Sequence, residues 1–178
     1  ARGALTFPAR FTLVASMNPC PCGYFEDPEK ECRCTAHEIL RYQKKISGPL
    51  LDRIDIQITV PRIPVEELLR TRPAGADDEV MQGAVVDARA RQRARATKSG
   101  HRFFSNAEMP SRFIDERLTM TPDAETFLKQ TLERAFLSAR GYYRTLRVAQ
   151  TIADLEGVDT VSRDHLAEAF QYRLKTEG

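Results

Sequence analysis

The sequence predicts an α/β first part followed by an all-α second part, on three observations. Two short runs rich in β-branched residues, 11–17 and 54–60, fall in the first third and read as strands. A Pro- and Gly-containing stretch, 72–76, then marks a change of composition. Beyond it, segments 78–97, 111–117, 122–134, 139–156 and 163–175 read as helices. The expected organisation is a strand-bearing region at 1–64, a linker at 65–77 and a helical domain at 78–178.

Residues 11–17 form a nearly continuous apolar run, the pattern of a strand buried on both faces of a parallel sheet. Asn18-Pro19 ends it. Thr35 is placed to cap a helix through about residue 47, with Glu38 completing a capping box. Ile39, Leu40, Tyr42, Gln43 and Ile46 give that helix a partly apolar face, and Ser47-Gly48-Pro49 breaks it. Ile54, Ile56, Ile58 and Val60 alternate with polar residues, the period of a strand with one wet face, before Pro61 and Pro64 close it. In the second part, the loop 101–110 is expected to hold Asn106 in a specific turn. Tyr142, Leu146, Ala149 and Ala153 make a buried stripe on the fourth long helix. Gly157 is a stop signal for that helix and Ser162 a cap for the next.

The 178 residues suffice for one ordinary core or a core with a small companion. Apolar residues make up 42% and charged residues 29%, a globular balance, and a net charge of +2 implies no polyanion partner by itself. No apolar run reaches the roughly 18 residues of a membrane span and no secretory pattern opens the chain, so a soluble, cytoplasmic protein without a membrane partner is expected.

All 4 cysteines lie together: Cys20 and Cys22, then Cys32 and Cys34. In a reducing compartment such clustering favours metal over disulfide. Two C-x-C pairs can offer four thiolates to one tetrahedral centre, which suits structural zinc. Pro21 stiffens the first pair and Gly23 permits the tight turn. The polar loop 24–31 is too short to fold alone and would use the metal as its core. His37 is a substitute ligand, and free thiols or cross-pair disulfides are the alternative.

Arginines are the other candidates. Arg140, Arg144 and Arg147 share one helical face, either as a solvated surface or to reach an anionic ligand such as a nucleotide phosphate. Arg53 sits on a turn before the second predicted strand, where Asp52 or Asp55 could simply pair with it. Asn18 could serve only its turn. Arg89, Arg91, Arg93, Arg95, Lys98 and Arg102 form a basic stretch, read as a solvated or intersubunit face or as a track for DNA phosphates.

The string Phe-Thr-Leu-Val-Ala-Ser-Met-Asn-Pro-Cys-Pro-Cys-Gly, then Cys-Arg-Cys and Ser-Gly-Pro-Leu-Leu-Asp-Arg-Ile-Asp, closely resembles the ComM/YifB family of magnesium-chelatase-like AAA+ ATPases. The strings Leu-Ser-Ala-Arg-Gly-Tyr-Tyr-Arg-Thr-Leu-Arg-Val-Ala-Gln-Thr-Ile-Ala-Asp-Leu-Glu-Gly and Ala-Phe-Gln-Tyr-Arg resemble its C-terminal lid. The resemblance implies the C-terminal part of a P-loop AAA+ core, carrying parallel-sheet strands and a zinc-type insertion, followed by a helical lid. It implies that Asn18 is sensor 1, orienting the attacking water, and that Arg53 is the arginine finger acting in a neighbouring subunit. Arg140 matches sensor 2, with Arg147 the runner-up. No G-x-x-x-x-G-K-[ST] phosphate loop and no acidic Walker B strand occurs here. A fragment that neither binds ATP tightly nor hydrolyses it alone is therefore expected, with ATP and magnesium belonging to the full-length protein. The resemblance further implies a hexameric ring of this protein acting on DNA in branch migration during natural transformation. The alternatives are the motor subunit of a chelatase that inserts magnesium into a porphyrin, and a zinc-stabilised module that binds nucleic acid or protein.

Overall fold

Thr35 opens the first helix, α1 (Ala36–Gln43), as its sequence predicts. Its hydroxyl accepts from the Glu38 backbone N–H at 3.3 Å, and the Glu38 carboxylate accepts from the Thr35 N–H at 2.8 Å. The helix stops short of residue 47 because Lys45 and Ile46 donate to carbonyls three residues back, a tightened last turn running into Gly48-Pro49. The computed structural model describes residues 11–69, 76–134 and 137–173, and its contacts divide the chain into two compact units, Ala1–Ser47 and Gly48–Gly178. The segment expected to close the first domain, 48–64, is grouped with the second unit. The expected linker includes 70–75, which lie outside the described residues.

No strand forms among the described residues, which corrects the sheet expected from 11–17 and 54–60. Val14 is 89% exposed and Ile58 67%. Backbone groups of a strand need a neighbouring strand to bond with, and neither run finds one among the described residues. The Gln57 N–H instead donates to the Tyr172 carbonyl at 3.0 Å. The β pairing that does occur is an isolated parallel bridge between Met120 and Val161.

The second unit is helical. Short helices α2 (Gly48–Leu51) and α3 (Val65–Leu68) precede α4 (Ala76–Ser99), a 3-10 turn at Asn106–Glu108, α5 (Ser111–Arg117), α6 (Pro122–Arg134), α7 (Ala139–Leu155) and α8 (Arg163–Gln171). Pro122 stands at the first position of α6, where a missing N–H costs nothing. Ser138 and Ser162 cap α7 and α8 through bonds to Gly141 N–H and His165 N–H. Gly157, at φ +79°, ends α7: Val158 N–H bonds Ala153 O and Gly157 N–H bonds Asp154 O, a Schellman closure that needs the left-handed residue. α8 ends at Gln171 with Tyr172 as its C-cap, short of the expected residue 175; residues 174–175 lie outside the described residues.

Helix α7 is the centre of this unit and packs against α4, α5, α8 and the 3-10 turn. Ala149 and Ala153 are fully buried and let neighbouring backbones come close, while Leu146 fills the core with Met109, Phe113, Val161, Leu166 and Phe170. The predicted stripe on α7 is therefore the core-facing one, with Tyr142 at its edge. At about 25 cal/mol per Å² of apolar surface, burial of this set is what holds the unit together.

Candidate metal centre and arginine cluster

The four cysteines are brought to one point. Gly23 N–H bonds Cys20 O at 3.1 Å with Gly23 at φ +85°, which folds the first pair into a tight turn. Asp27 accepts from the Glu29 and Lys30 N–H groups, and the Lys30 ammonium lies 3.9 Å from the Tyr24 ring centre, ordering the return loop. The Sγ–Sγ distances are 3.4 Å for Cys20–Cys22, 3.7 Å for Cys20–Cys32 and 3.6 Å for Cys22–Cys32. All four sulfurs lie within 4.8 Å of one another, and none is in a disulfide. Tetrahedral bonds of about 2.3 Å to sulfur put ligand atoms about 3.8 Å apart, so the donor set fits a metal ion. His37 is exposed and stands outside the cluster.

The electrostatics agree with the distances. Backbone N–H groups of Tyr24 and Arg33 draw the Cys22 thiol down to about 6. Cys34 is drawn down by the Cys22 N–H but pushed harder by burial and by the neighbouring sulfurs, and rises to about 12. Four sulfurs this close cannot all carry charge unless a cation joins them. Asn18 is exposed beside the first turn; a Cβ added at Gly23 would lie 3.7 Å from its Nδ2. The Gln43 side chain donates to the Pro19 carbonyl at 3.1 Å, tying α1 to the residue after Asn18.

In the second unit the candidate arginines separate by environment. Arg53 is exposed at the end of α2, its Nη1 donating to the Pro49 carbonyl at 2.5 Å. The acids beside it pair elsewhere: Asp52 accepts from Arg173 Nη2 at 2.9 Å, and Asp55 from Arg144 Nη1 at 2.6 Å. Arg144 also donates to the Arg53 carbonyl. Arg147 is spent on the Met109 carbonyl, through Nε at 3.0 Å and Nη2 at 2.7 Å, and burial lowers its guanidinium below the ordinary range. Arg140 is exposed and makes no hydrogen bond or ion pair among the described residues. The three-arginine face of α7 thus divides into one open side chain and two engaged ones.

The basic stretch of α4 divides likewise. Arg95 forks onto Asp154, whose side chain is fully buried, and onto Asn106 Oδ1 at 3.1 Å. Asn106 opens a 3-10 turn, and its side chain donates to Asp154 at 2.7 Å and to Thr151 at 3.0 Å, both on α7. Arg91 lies 3.6 Å from Asp159. Arg89, Arg93, Lys98 and Arg102 remain exposed. Spacing alone did not disclose the Arg95–Asp154 lock, because the partners stand 59 positions apart.

No described helix is long and apolar enough to cross a membrane. Residues 1–68 match the family model for magnesium chelatase, subunit ChlI, and residues 75–173 match the model for the C-terminal region of that subunit. The uncharacterized protein YifB of Salmonella typhimurium is 38% identical over 172 residues, 97% of this chain and 32% of the relative. The competence protein ComM of Haemophilus influenzae is 38% identical over 173 residues, with the same shares of the two chains. YifB of Escherichia coli is 38% identical over 172 residues, again 97% and 32%. The chain spans about a third of the length of these curated relatives. With its two family models laid end to end, the chain belongs to the magnesium-chelatase-like AAA+ family.

Proposed function

We propose that this chain is part of an ATP-driven AAA+ motor that acts on DNA in the manner expected of ComM-like proteins. In it, Asn18 serves as sensor 1, Arg53 as the arginine finger in trans and Arg140 as sensor 2. The single observation that carries the reading is the state of Arg53: an exposed guanidinium on a fixed turn, with both neighbouring acids paired to other arginines. A side chain so placed, exposed and bonded through Nη1 to the Pro49 carbonyl of its own turn, can exchange that bond to stabilise charge on a phosphoryl group in an adjoining subunit. Arg140 is favoured over Arg147 because its guanidinium is open while the other is engaged by the Met109 carbonyl. The phosphate loop and magnesium carboxylate belong, in this reading, to another segment of the longer protein. Cytoplasmic, ring-shaped assembly goes with it.

Cys20, Cys22, Cys32 and Cys34 hold a structural zinc in this reading, on the strength of their sulfur geometry. Bound there, zinc supplies cross-linking of a loop that has little apolar core, and no chemistry. DNA contact is assigned to the exposed cations Arg89, Arg93, Lys98 and Arg102. The magnesium chelatase description of both matching models supports a second reading, a chelatase motor subunit.

The test is ATP hydrolysis by the full-length protein with and without branched DNA. DNA-stimulated hydrolysis, with a rate that falls about 10³–10⁵-fold in Arg53→Ala, is expected. Unchanged hydrolysis in that variant would remove the finger assignment. Hydrolysis indifferent to DNA but dependent on a porphyrin-binding partner would favour the chelatase reading.

A further inference from the structure

Both acids that flank Arg53 are held by the helical bundle. Asp55 accepts from Arg144, one turn into α7, at 2.6 Å, and Arg144 also grips the Arg53 carbonyl. Asp52 accepts from Arg173, just past α8, at 2.9 Å. Gly141 of α7 lies beside that second reach, with Arg173 Nη2 3.5 Å from where a Cβ would stand. The Gln57 N–H on the Tyr172 carbonyl adds a backbone tie at 3.0 Å. The turn that presents Arg53 is thus fastened at residues 52, 53, 55 and 57 to the ends of two helices.

Helix α7 carries Arg140 as well. Arg140 and Arg144 are four residues apart, on one face and separated by about 6 Å of helix rise. Gly141, Thr145 and Leu146 of the same helix are buried, so α7 moves together with the helical bundle it is packed in.

We propose that Arg144 and Arg173 are positioning residues that fix the Arg53 turn to α7 and α8, making α7 a lever between two nucleotide sites. The inference rests on the reading of Arg53 as the finger and of Arg140 as sensor 2. When Arg140 engages or releases a phosphate of its own subunit's nucleotide, the bundle built around α7 shifts as one body, and the clamped turn carries Arg53 with it relative to the neighbour's nucleotide. Neither Arg144 nor Arg173 touches the reacting atoms.

The test compares Arg53→Ala, Asp55→Ala, Asp55→Asn, Arg144→Ala and the exchanged pair Asp55→Arg with Arg144→Asp, all in the full-length protein. ATP hydrolysis, ring assembly and amide exchange over residues 52–57 are measured for each. Loss of the clamp is expected to lower kcat about 10–100-fold, with KM for ATP and assembly unchanged and with faster exchange at 52–57. The exchanged pair is expected to recover kcat and slow exchange together. A kcat within about twofold of the unaltered protein in Asp55→Ala and Arg144→Ala, while Arg53→Ala collapses, would overturn the lever and leave the finger standing. Normal hydrolysis in Arg53→Ala would overturn both. The milder Asp55→Asn keeps the side-chain shape, so a kcat loss there cannot be laid to misfolding if melting is unchanged.

Discussion

The two units of this chain are held by different physics. Within the described part of the first unit, buried apolar side chains are Cys20 and Ile39, whereas the second unit buries a continuous cluster from Ala96 to Phe170. The first unit makes up for its lack of core with local devices: the Thr35 capping box, the Asp27 turn and four convergent sulfurs. The contrast teaches that order near Asn18 depends on the sulfur cluster, while order near Arg53 and Arg140 depends on packing around α7.

Removing metal is the strongest way to break that contrast. A chelator, or Cys20→Ser, is expected to abolish protected amides around 18–34 while the helical unit melts as before; structural zinc sites of this kind contribute about 10–16 kcal/mol of apparent folding energy. Mass spectrometry of the native chain checks the premise at one zinc per chain. Leu146→Ala should do the reverse, costing the helical unit about 2–5 kcal/mol by denaturant melting and leaving zinc content intact.

Asp154→Ala comes next. It strands Arg95 and Asn106, and the loss should lie near the lower end of about 3–5 kcal/mol, because the Arg95 side chain keeps 17% exposure. The smallest effect is expected at the cap: Thr35→Ala should cost α1 about 1 kcal/mol, read by amide exchange at residues 36–40 of the zinc-loaded chain. Glu38 gives this cap a pH dependence. The Thr35 N–H and hydroxyl hold its carboxyl below the usual value of 4.5, so the folded state binds a proton less readily than the unfolded one. Its contribution is full above the unfolded value and fades as pH falls through the folded one. Thr35→Ala removes the hydroxyl but keeps the N–H and should only shallow the acid limb of α1 protection, whereas Glu38→Gln should flatten it.

Much of the helical unit was legible because its signals are local. Pro122, Ser138, Ser162 and Gly157 each act within a few residues, and the stripe through Leu146, Ala149 and Ala153 requires only helical period. The cysteine cluster was legible from spacing for the same reason. The strands at 11–17 and 54–60 were misread because alternation reports a face meant for burial, while a strand also needs a neighbour for its backbone. The division of Arg140, Arg144 and Arg147 into one open and two engaged side chains was hidden as well. It depends on Asp55 and on the Met109 carbonyl, positions brought near only by tertiary packing. Asp52 and Asp55 pair not with Arg53, as the simpler view of it had them, but with arginines far along the chain.

The most direct measurement is ATP hydrolysis by full-length subunits mixed in equal amounts, one carrying Arg53→Ala and the other Asn18→Ala. Each variant alone is expected to be inactive. In a head-to-tail ring with random mixing, about one quarter of the sites join an intact Asn18 to an intact Arg53 from the neighbour, so hydrolysis should return to about a quarter of normal. A mixture as inactive as its components, with mixed assembly verified, would contradict the assignment of Arg53 as a finger acting between subunits.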